Sequence, residues 1–204
     1  MRTVLFACGL ILATLQPRRA RAQIVGLFGG RSFSHTSESA GSVKSTSEGQ
    51  RADLTGGVFV QFPLTSFALA EPQLAFVTKG DGQNGAGLTL RYLEVPILVH
   101  IAPELSRTRA IIRPFASFGP SFNFLTACFL ATSQFSCHDD FAATRTVELT
   151  AVGSVGAEWW TPEHSSIGVE ARYETSLTNT SPASNGVKRA NHTTLFLARL
   201  GGIF

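Results

Sequence analysis

Apolar and polar residues alternate with a period of two along most of this chain, which is the pattern of β-strands. In residues 165–178, for example, one face carries apolar side chains and the other carries charged ones. No segment beyond residue 22 has a convincing helical period. Eight segments combine the alternation with Gly and aromatic residues, and they are predicted as strands at 23–34, 52–62, 66–78, 86–101, 108–124, 144–160, 165–178 and 193–204.

The connections between these segments alternate in length. Short turns are predicted near 63–65, 103–104 and 161–163, whereas the long polar connections are 35–51, 79–87, 125–143 and 179–192. Outer-membrane barrels have this asymmetry, with long loops outside the cell and short turns in the periplasm. The pattern therefore predicts an all-β fold, an eight-stranded antiparallel up-and-down transmembrane β-barrel with both termini at the periplasmic end.

The polar faces of the predicted strands carry charges of both signs. An eight-stranded barrel is just wide enough for side chains to fill it, and buried charges are costly unless they are paired. We therefore expect a filled lumen, with a proton or solute path as the alternative. The residues predicted to form an ionic network inside it are Glu94, Arg113, Glu148, Glu158, Glu170, Arg172, Glu174 and Arg199.

Alternation alone does not separate a membrane barrel from a soluble one. Three observations favour the membrane: apolar faces about 10 residues long, lumen charges with almost no Lys, and aromatic residues near strand ends. Those aromatic residues are Phe62, Phe76, Phe122, Phe124, Trp159, Trp160 and Phe204. A soluble, lipocalin-like binding barrel stays as an alternative.

The last ten residues, LFLARLGGIF, form an apolar stripe that ends in an aromatic residue. Phe196, Ala198, Leu200, Gly202 and Phe204 share one face of this extended segment. A closing strand whose last side chain lies at the membrane boundary has this pattern. Phe204 is therefore predicted to be a C-terminal strand signal.

The first 22 residues are predicted to be a signal peptide. Arg2 precedes an apolar run at 3–15, and an A-x-A site at 20–22 places cleavage before Gln23, leaving a barrel domain at 23–204. Lipidation at Cys8 is disfavoured because that residue lies inside the apolar run. The segment holds four arginines and no acid, so the 17 basic residues fall to 13 against 14 acidic ones. The basic pI therefore gives no support for nucleic-acid binding.

Candidate chemistry is sparse. Cys128 and Cys137 are expected to form a disulfide in an exported protein, and the neighbouring CHDD lacks a recognisable metal-ligand spacing. The Gly-rich segment 79–87 lacks the Lys-Ser/Thr ending of a phosphate-binding loop. No catalytic residue, cofactor or metal is predicted. A lipid hydrolase would need a Ser/His/acid set, and His192 has no obvious partner in the sequence.

Five segments together resemble the PorT-like outer-membrane β-barrel family. They are RYLEVPILVH at 91–100, PFASFGPSFNFL at 114–125, VGSVGAEWW at 152–160, VEARYETSLTN at 169–179 and LARLGGIF at 197–204. The resemblance implies an integral outer-membrane barrel of a diderm bacterium. A secretion-associated role, linked to the family's namesake, is an alternative.

The function expected from these features is non-enzymatic, a structural or interaction role through the extracellular loops. Expected partners are outer-membrane lipid, the barrel assembly machinery and an extracellular or envelope protein at the loops, with no nucleic acid.

Overall fold

A computed structural model describes residues 23–40, 43–46, 51–80, 88–103, 111–130, 133–136, 146–179 and 187–203. These residues form ten strands, and no helix occurs among them. The strands are β1 (Ile24–Ala40), β2 (Val43–Thr46), β3 (Arg51–Pro63), β4 (Ala68–Gly80), β5 (Leu88–Ile101), β6 (Ile111–Leu130), β7 (Ser133–Ser136), β8 (Val147–Trp160), β9 (Ser165–Ser176) and β10 (Val187–Ile203).

Eight of the strands form a closed antiparallel barrel. Each pairs with its neighbour in chain order, and the ladder between β1 and β10 closes the wall from Ile24↔Ile203 to Ala40↔Val187. The short strands β2 and β7 pair only with β1 and β6 and extend the sheet beyond the barrel. The predicted eight-stranded up-and-down barrel is confirmed.

The inner face of the barrel wall carries buried charged side chains together with a cluster of apolar ones, whereas large apolar side chains are exposed on the outer face. On β9, Ile167 and Val169 are 52% and 66% exposed, whereas Glu170 and Arg172 are 3% and 1% exposed. A water-soluble barrel would show the opposite arrangement, whereas a membrane barrel presents its apolar face to lipid. The orientation therefore rules against the soluble, lipocalin-like alternative.

The predicted bounds are wrong at the extracellular ends of three strands. β1 continues to Ala40, β6 continues to Leu130 and β10 begins at Val187, so parts of the predicted loops 35–51, 125–143 and 179–192 are strand. The short strands β2 and β7 lie inside the first two of these loops. The added parts of β1 and β10 are mainly polar and lack an apolar stripe, but the two strands still pair through their backbones.

Two predicted features at strand ends need correction. Trp160 belongs to the interior, since it is 3% exposed, and not to an outer aromatic girdle as Trp159 does at 53%. The start of β6 also differs from the prediction, since the strand is described from Ile111 and not from 108.

Several predictions concern residues outside the described ranges. They are the signal peptide at 1–22, most of the Gly-rich connection, Cys137 and the terminal Phe204. In the part of the chain that the structure describes, no helix has the length and apolar character needed to cross a membrane.

Candidate functional site: the filled lumen

All eight charged residues predicted for the lumen lie on the inner wall and are buried. Their exposed fractions do not exceed 3%. They come from five strands, because alternate residues of each strand point inward. The residues are Glu94 on β5, Arg113 on β6, Glu148 and Glu158 on β8, Glu170, Arg172 and Glu174 on β9, and Arg199 on β10.

Six residues form the Arg199 cluster: Glu71, Arg113, Glu158, Glu170, Arg172 and Arg199. Within it, Arg199 lies 2.8 Å from a carboxylate oxygen of Glu71 on β4 and 2.6 Å from one of Glu170 on β9. Glu158 is shared, at 3.5 Å from Arg199 and 2.8 Å from Arg113. Arg172 donates to Glu170 at 2.9 Å. Three guanidinium groups thus face three carboxylates, which is the pairing that buried charges need.

Aromatic rings occupy the space around these guanidinium groups. Arg199 lies 4.2 Å from the ring centroid of Phe59 and 5.1 Å from that of Phe115. Arg113 lies 5.3 Å from the ring of Trp160, whose indole N–H donates to Glu158 at 3.0 Å. Cation–π contacts of this kind stabilise a desolvated cation. Because Arg199 contacts residues of β3, β4, β6, β8 and β9, its side chain crosses the lumen.

A second group, the Lys79 cluster, consists of Lys79, Glu94, Glu148 and Glu174. The ammonium of Lys79 lies 2.6 Å from Glu94 and 3.1 Å from Glu174. Glu148 accepts from the Asn191 amide at 3.3 Å and from the Ser176 hydroxyl. This cluster lies on the extracellular side of the Arg199 cluster, and Arg172 links the two at 4.0 Å from Glu174. Its three carboxylates face one ammonium, so the two clusters differ in charge balance.

Three further buried residues, which the predicted network does not include, lie inside the barrel: Lys79, Glu71 and His100. Lys79 was placed just outside a strand, but it lies inside β4 and is 1% exposed. Glu71 stands in phase with it on β4, and this period-two spacing was the available signal. His100 lies 3.0 Å from the Ser117 hydroxyl and stacks on Phe115 at 4.6 Å between centroids.

The structure describes only one of the two cysteines of the predicted disulfide. Cys128 lies on β6 and is disulfide-bonded. Because Cys137 is outside the described residues, its pairing with Cys128 stays a prediction. Among the described residues, no group of His, Cys, Asp or Glu is arranged to hold a metal ion.

Two solved structures of outer-membrane proteins illustrate what this chain is similar to. Neisserial surface protein A has a TM-score of 0.51 and 11% identity, covering 87% of this chain and 97% of the other. The outer membrane protein OprG of Pseudomonas aeruginosa has a TM-score of 0.47 and 15% identity, covering 90% and 96%. At these identities the likeness concerns the fold alone.

Comparison with protein families identifies the family of this chain as well as its fold. A search of curated proteins gives no significant match. The profile of the family described as outer membrane protein beta-barrel domain matches residues 16–181, which is most of the chain. The match does not single out the PorT-like group. This chain is therefore an outer-membrane β-barrel protein that belongs to the outer membrane protein beta-barrel domain family.

Proposed function

We propose that this protein is an integral outer-membrane barrel whose lumen is a structural filling, and that the lumen carries neither catalysis nor solute flow. The observation that supports this role most directly is Arg199, which binds Glu71, Glu158 and Glu170 across the barrel interior. Moving a solute past this point would require breaking buried ion pairs. Removing one partner of such a pair costs about 3–5 kcal/mol.

In this proposal, the outer wall and the extracellular end of the barrel make the contacts with other molecules. The outer wall offers lipid a mainly apolar surface, and the exported chain would reach the membrane through a cleaved signal peptide and the barrel assembly machinery. The connections above the barrel rim would meet an extracellular or envelope partner, since loops on a rigid scaffold are the usual place for binding. A secretion-associated role is the alternative, and it would use the same surfaces.

Two measurements test the structural role of the lumen. Protein refolded in detergent should migrate differently on a gel before and after boiling, as a folded membrane barrel does. In planar bilayers the same preparation should give little or no conductance. Steady, reproducible channels in an Arg199→Ala variant, absent from the unaltered protein, would support a plug formed by Arg199. Channels in the unaltered protein would contradict the proposal.

A further inference from the structure

Five polar side chains gather on the outer wall near its extracellular end. They are His35 and Ser37 on β1, Tyr173 and Thr175 on β9, and His192 on β10. The three strands are neighbours, and His192 stands directly opposite both His35 and Thr175 in the two ladders. All five point away from the lumen, because the residues that alternate with them, such as Thr36 and Glu174, are buried.

His192 is held from both ring nitrogens. Its Nε2 lies 3.1 Å from the hydroxyl oxygen of Ser37. Its Nδ1 lies 3.0 Å from the hydroxyl of Tyr173 and 3.1 Å from that of Thr175. A neutral imidazole has one N–H and one acceptor nitrogen. When Nδ1–H donates to one of the two hydroxyls, Nε2 is free to accept the proton of Ser37.

This arrangement has the parts of an activated nucleophile. A hydroxyl and a base lie within hydrogen-bond reach, and a further group orients the base. His35 stacks on His192 at 5.1 Å between centroids and 22° between planes, which restricts the rotation of the His192 ring. The other contact of Ser37, to the Ala190 carbonyl, is longer at 3.4 Å.

The depth of the cluster indicates what it can reach. The outward residues below it include two aromatic ones, Phe33 on β1 and Phe196 on β10, which pack edge to face at 6.1 Å. Tyr173, 49% exposed, follows Val169 and Ala171 on β9. Aromatic residues mark the membrane–water interface of such barrels. Ser37 and His192 therefore lie at the headgroup level of the outer leaflet, where ester bonds join acyl chains to lipid headgroups.

We propose that Ser37 and His192 form a hydrolytic site for acyl esters of outer-leaflet lipids. Ser37 is the nucleophile, His192 is the base, and Tyr173 and Thr175 are positioning residues. The proposal goes beyond the structural role of the lumen and adds an activity on the opposite face of the wall. The sequence alone does not reveal the partner of His192, because Ser37 lies 155 positions away and meets it only when β10 closes on β1.

The reaction balances with water as the only co-reactant. The Ser37 oxygen attacks the ester carbonyl carbon while its proton passes to Nε2 of His192. The bond between carbonyl carbon and alcohol oxygen breaks, and the alcohol leaves with that proton. Water then attacks the acyl-serine, giving a proton to Nε2. Release of the fatty acid restores the Ser37 hydroxyl and neutral His192.

Covalent labelling tests the pair directly. A long-chain alkyl fluorophosphonate is added to the barrel folded in detergent, and adducts are mapped by mass spectrometry. We expect an adduct on Ser37, and a labelling rate at least about 100-fold lower in His192→Ala, the size of a lost general base. Ser37→Ala should remove the adduct. Ser39→Ala, the next outward serine of β1, is the matched control and should label like the unaltered protein.

Labelling that is equally fast in His192→Ala would overturn the proposal, since Ser37 would then react as an ordinary serine. Heat-modifiability of each variant establishes that it has folded, independently of labelling. A Tyr173→Phe/Thr175→Val double variant tests the positioning role: the pH profile of labelling should shift, which a merely structural contact would not cause.

Two lipids, tested separately, identify which kind of lipid supplies the ester. The protein is incubated with phosphatidylethanolamine vesicles or with lipopolysaccharide, and released fatty acid is measured by mass spectrometry. Release from one of them, lost in Ser37→Ala and kept in Ser39→Ala, supports the site and names its substrate. If neither lipid releases fatty acid, the proposal is wrong whatever the labelling shows. Conductance tests the lumen separately, so the two proposals can fail independently.

Discussion

Arg199 shows how one side chain can bind several strands of the barrel. It pairs with Glu71, Glu158 and Glu170 and lies over two phenyl rings. These buried ion pairs affect the stability of the barrel differently when they are complete and when one member is lost. A complete set of buried pairs is near balance with an apolar filling, whereas a set that has lost one member leaves charges without partners.

Replacing Arg199 with Met should therefore lower the free energy of unfolding by about 3–5 kcal/mol. Urea unfolding of the protein in detergent micelles, followed by tryptophan fluorescence, measures the change. Arg31→Met is the matched control: Arg31 is exposed on the outer wall, where an apolar side chain suits lipid or detergent better than a charged one, so the free energy of unfolding should stay level or rise. Equal effects in the two variants would contradict the interior role of Arg199. Adding Glu71→Gln to Arg199→Met should recover part of the loss.

The inward position of each charge could be predicted from the sequence, because period-two alternation fixes the face of every residue once a strand is placed. Glu170 and Arg172 are examples. Which charges meet could not be predicted, since Arg199 and Glu71 are 128 positions apart and come together only through barrel closure. The absence of Lys79 from the predicted network has a simpler reason: the predicted strand ends at 78, two residues before β4 does, and this puts Lys79 in a loop.

At the scale of the strand, glycines make room for interior rings. A Cβ added at Gly156 on β8 would lie 2.4 Å from a ring carbon of Phe115, and one added at Gly26 on β1 would lie 2.3 Å from a ring carbon of Phe59. Aromatic side chains that cover glycines of a neighbouring strand stabilise curved sheets. The rings that contact Arg199 thus depend on glycines in the opposing backbone.

Gly156→Ala should consequently destabilise the barrel by about 1–3 kcal/mol, the usual cost of overpacking. Gly153→Ala on the same strand is the control, because nothing lies within 4 Å of the Cβ it would add. Its stability should stay level or rise slightly. Urea midpoints of the two variants in one detergent provide the comparison, and a larger loss at Gly153 would show that the space around Phe115 is not what constrains β8.

Sequence patterns predicted the strands well where an apolar stripe faces lipid, and poorly above it. β8 and β9 were placed within three residues at each end. By contrast, the extracellular parts of β1 and β10 are polar on both faces, and only their mutual backbone pairing makes them strands. The alternation of apolar and polar residues stops at the membrane boundary, because only side chains that face lipid need to be apolar. The hydrogen-bonded ladder between the strands continues beyond it.

At the scale of the whole molecule, the cost in stability of a charge on the outer wall should depend on its depth in the membrane. Val169 and Leu177 both point outward near β9 and are 66% and 60% exposed, but Leu177 lies beyond the extracellular end of the strand. Val169→Arg should cost about 2–4 kcal/mol in lipid vesicles, and Leu177→Arg only about 0–1 kcal/mol. The measurement is the urea midpoint of protein refolded in vesicles. Equal costs would mean that the two positions share one environment.

The buried charges of the described residues do not balance overall. Six glutamates lie inside the barrel with four cationic side chains, and the surplus belongs to the Lys79 cluster. Because Glu94 and Glu174 share the single ammonium of Lys79, this half of the lumen should tolerate loss of one carboxylate better than the Arg199 cluster does. Glu94→Gln should therefore destabilise less than Glu71→Gln in the same urea assay.

The place of Arg199 on the final strand has a consequence for biogenesis. A nascent sheet that lacks β10 holds Glu71, Glu158 and Glu170 beside a bilayer without their shared cation. Such an intermediate has little tendency to partition into hydrocarbon, so insertion and closure are coupled into one cooperative event. The closing strand β10 thereby acts as a checkpoint, because a barrel that has not yet paired β10 with β1 is left unfit for the membrane.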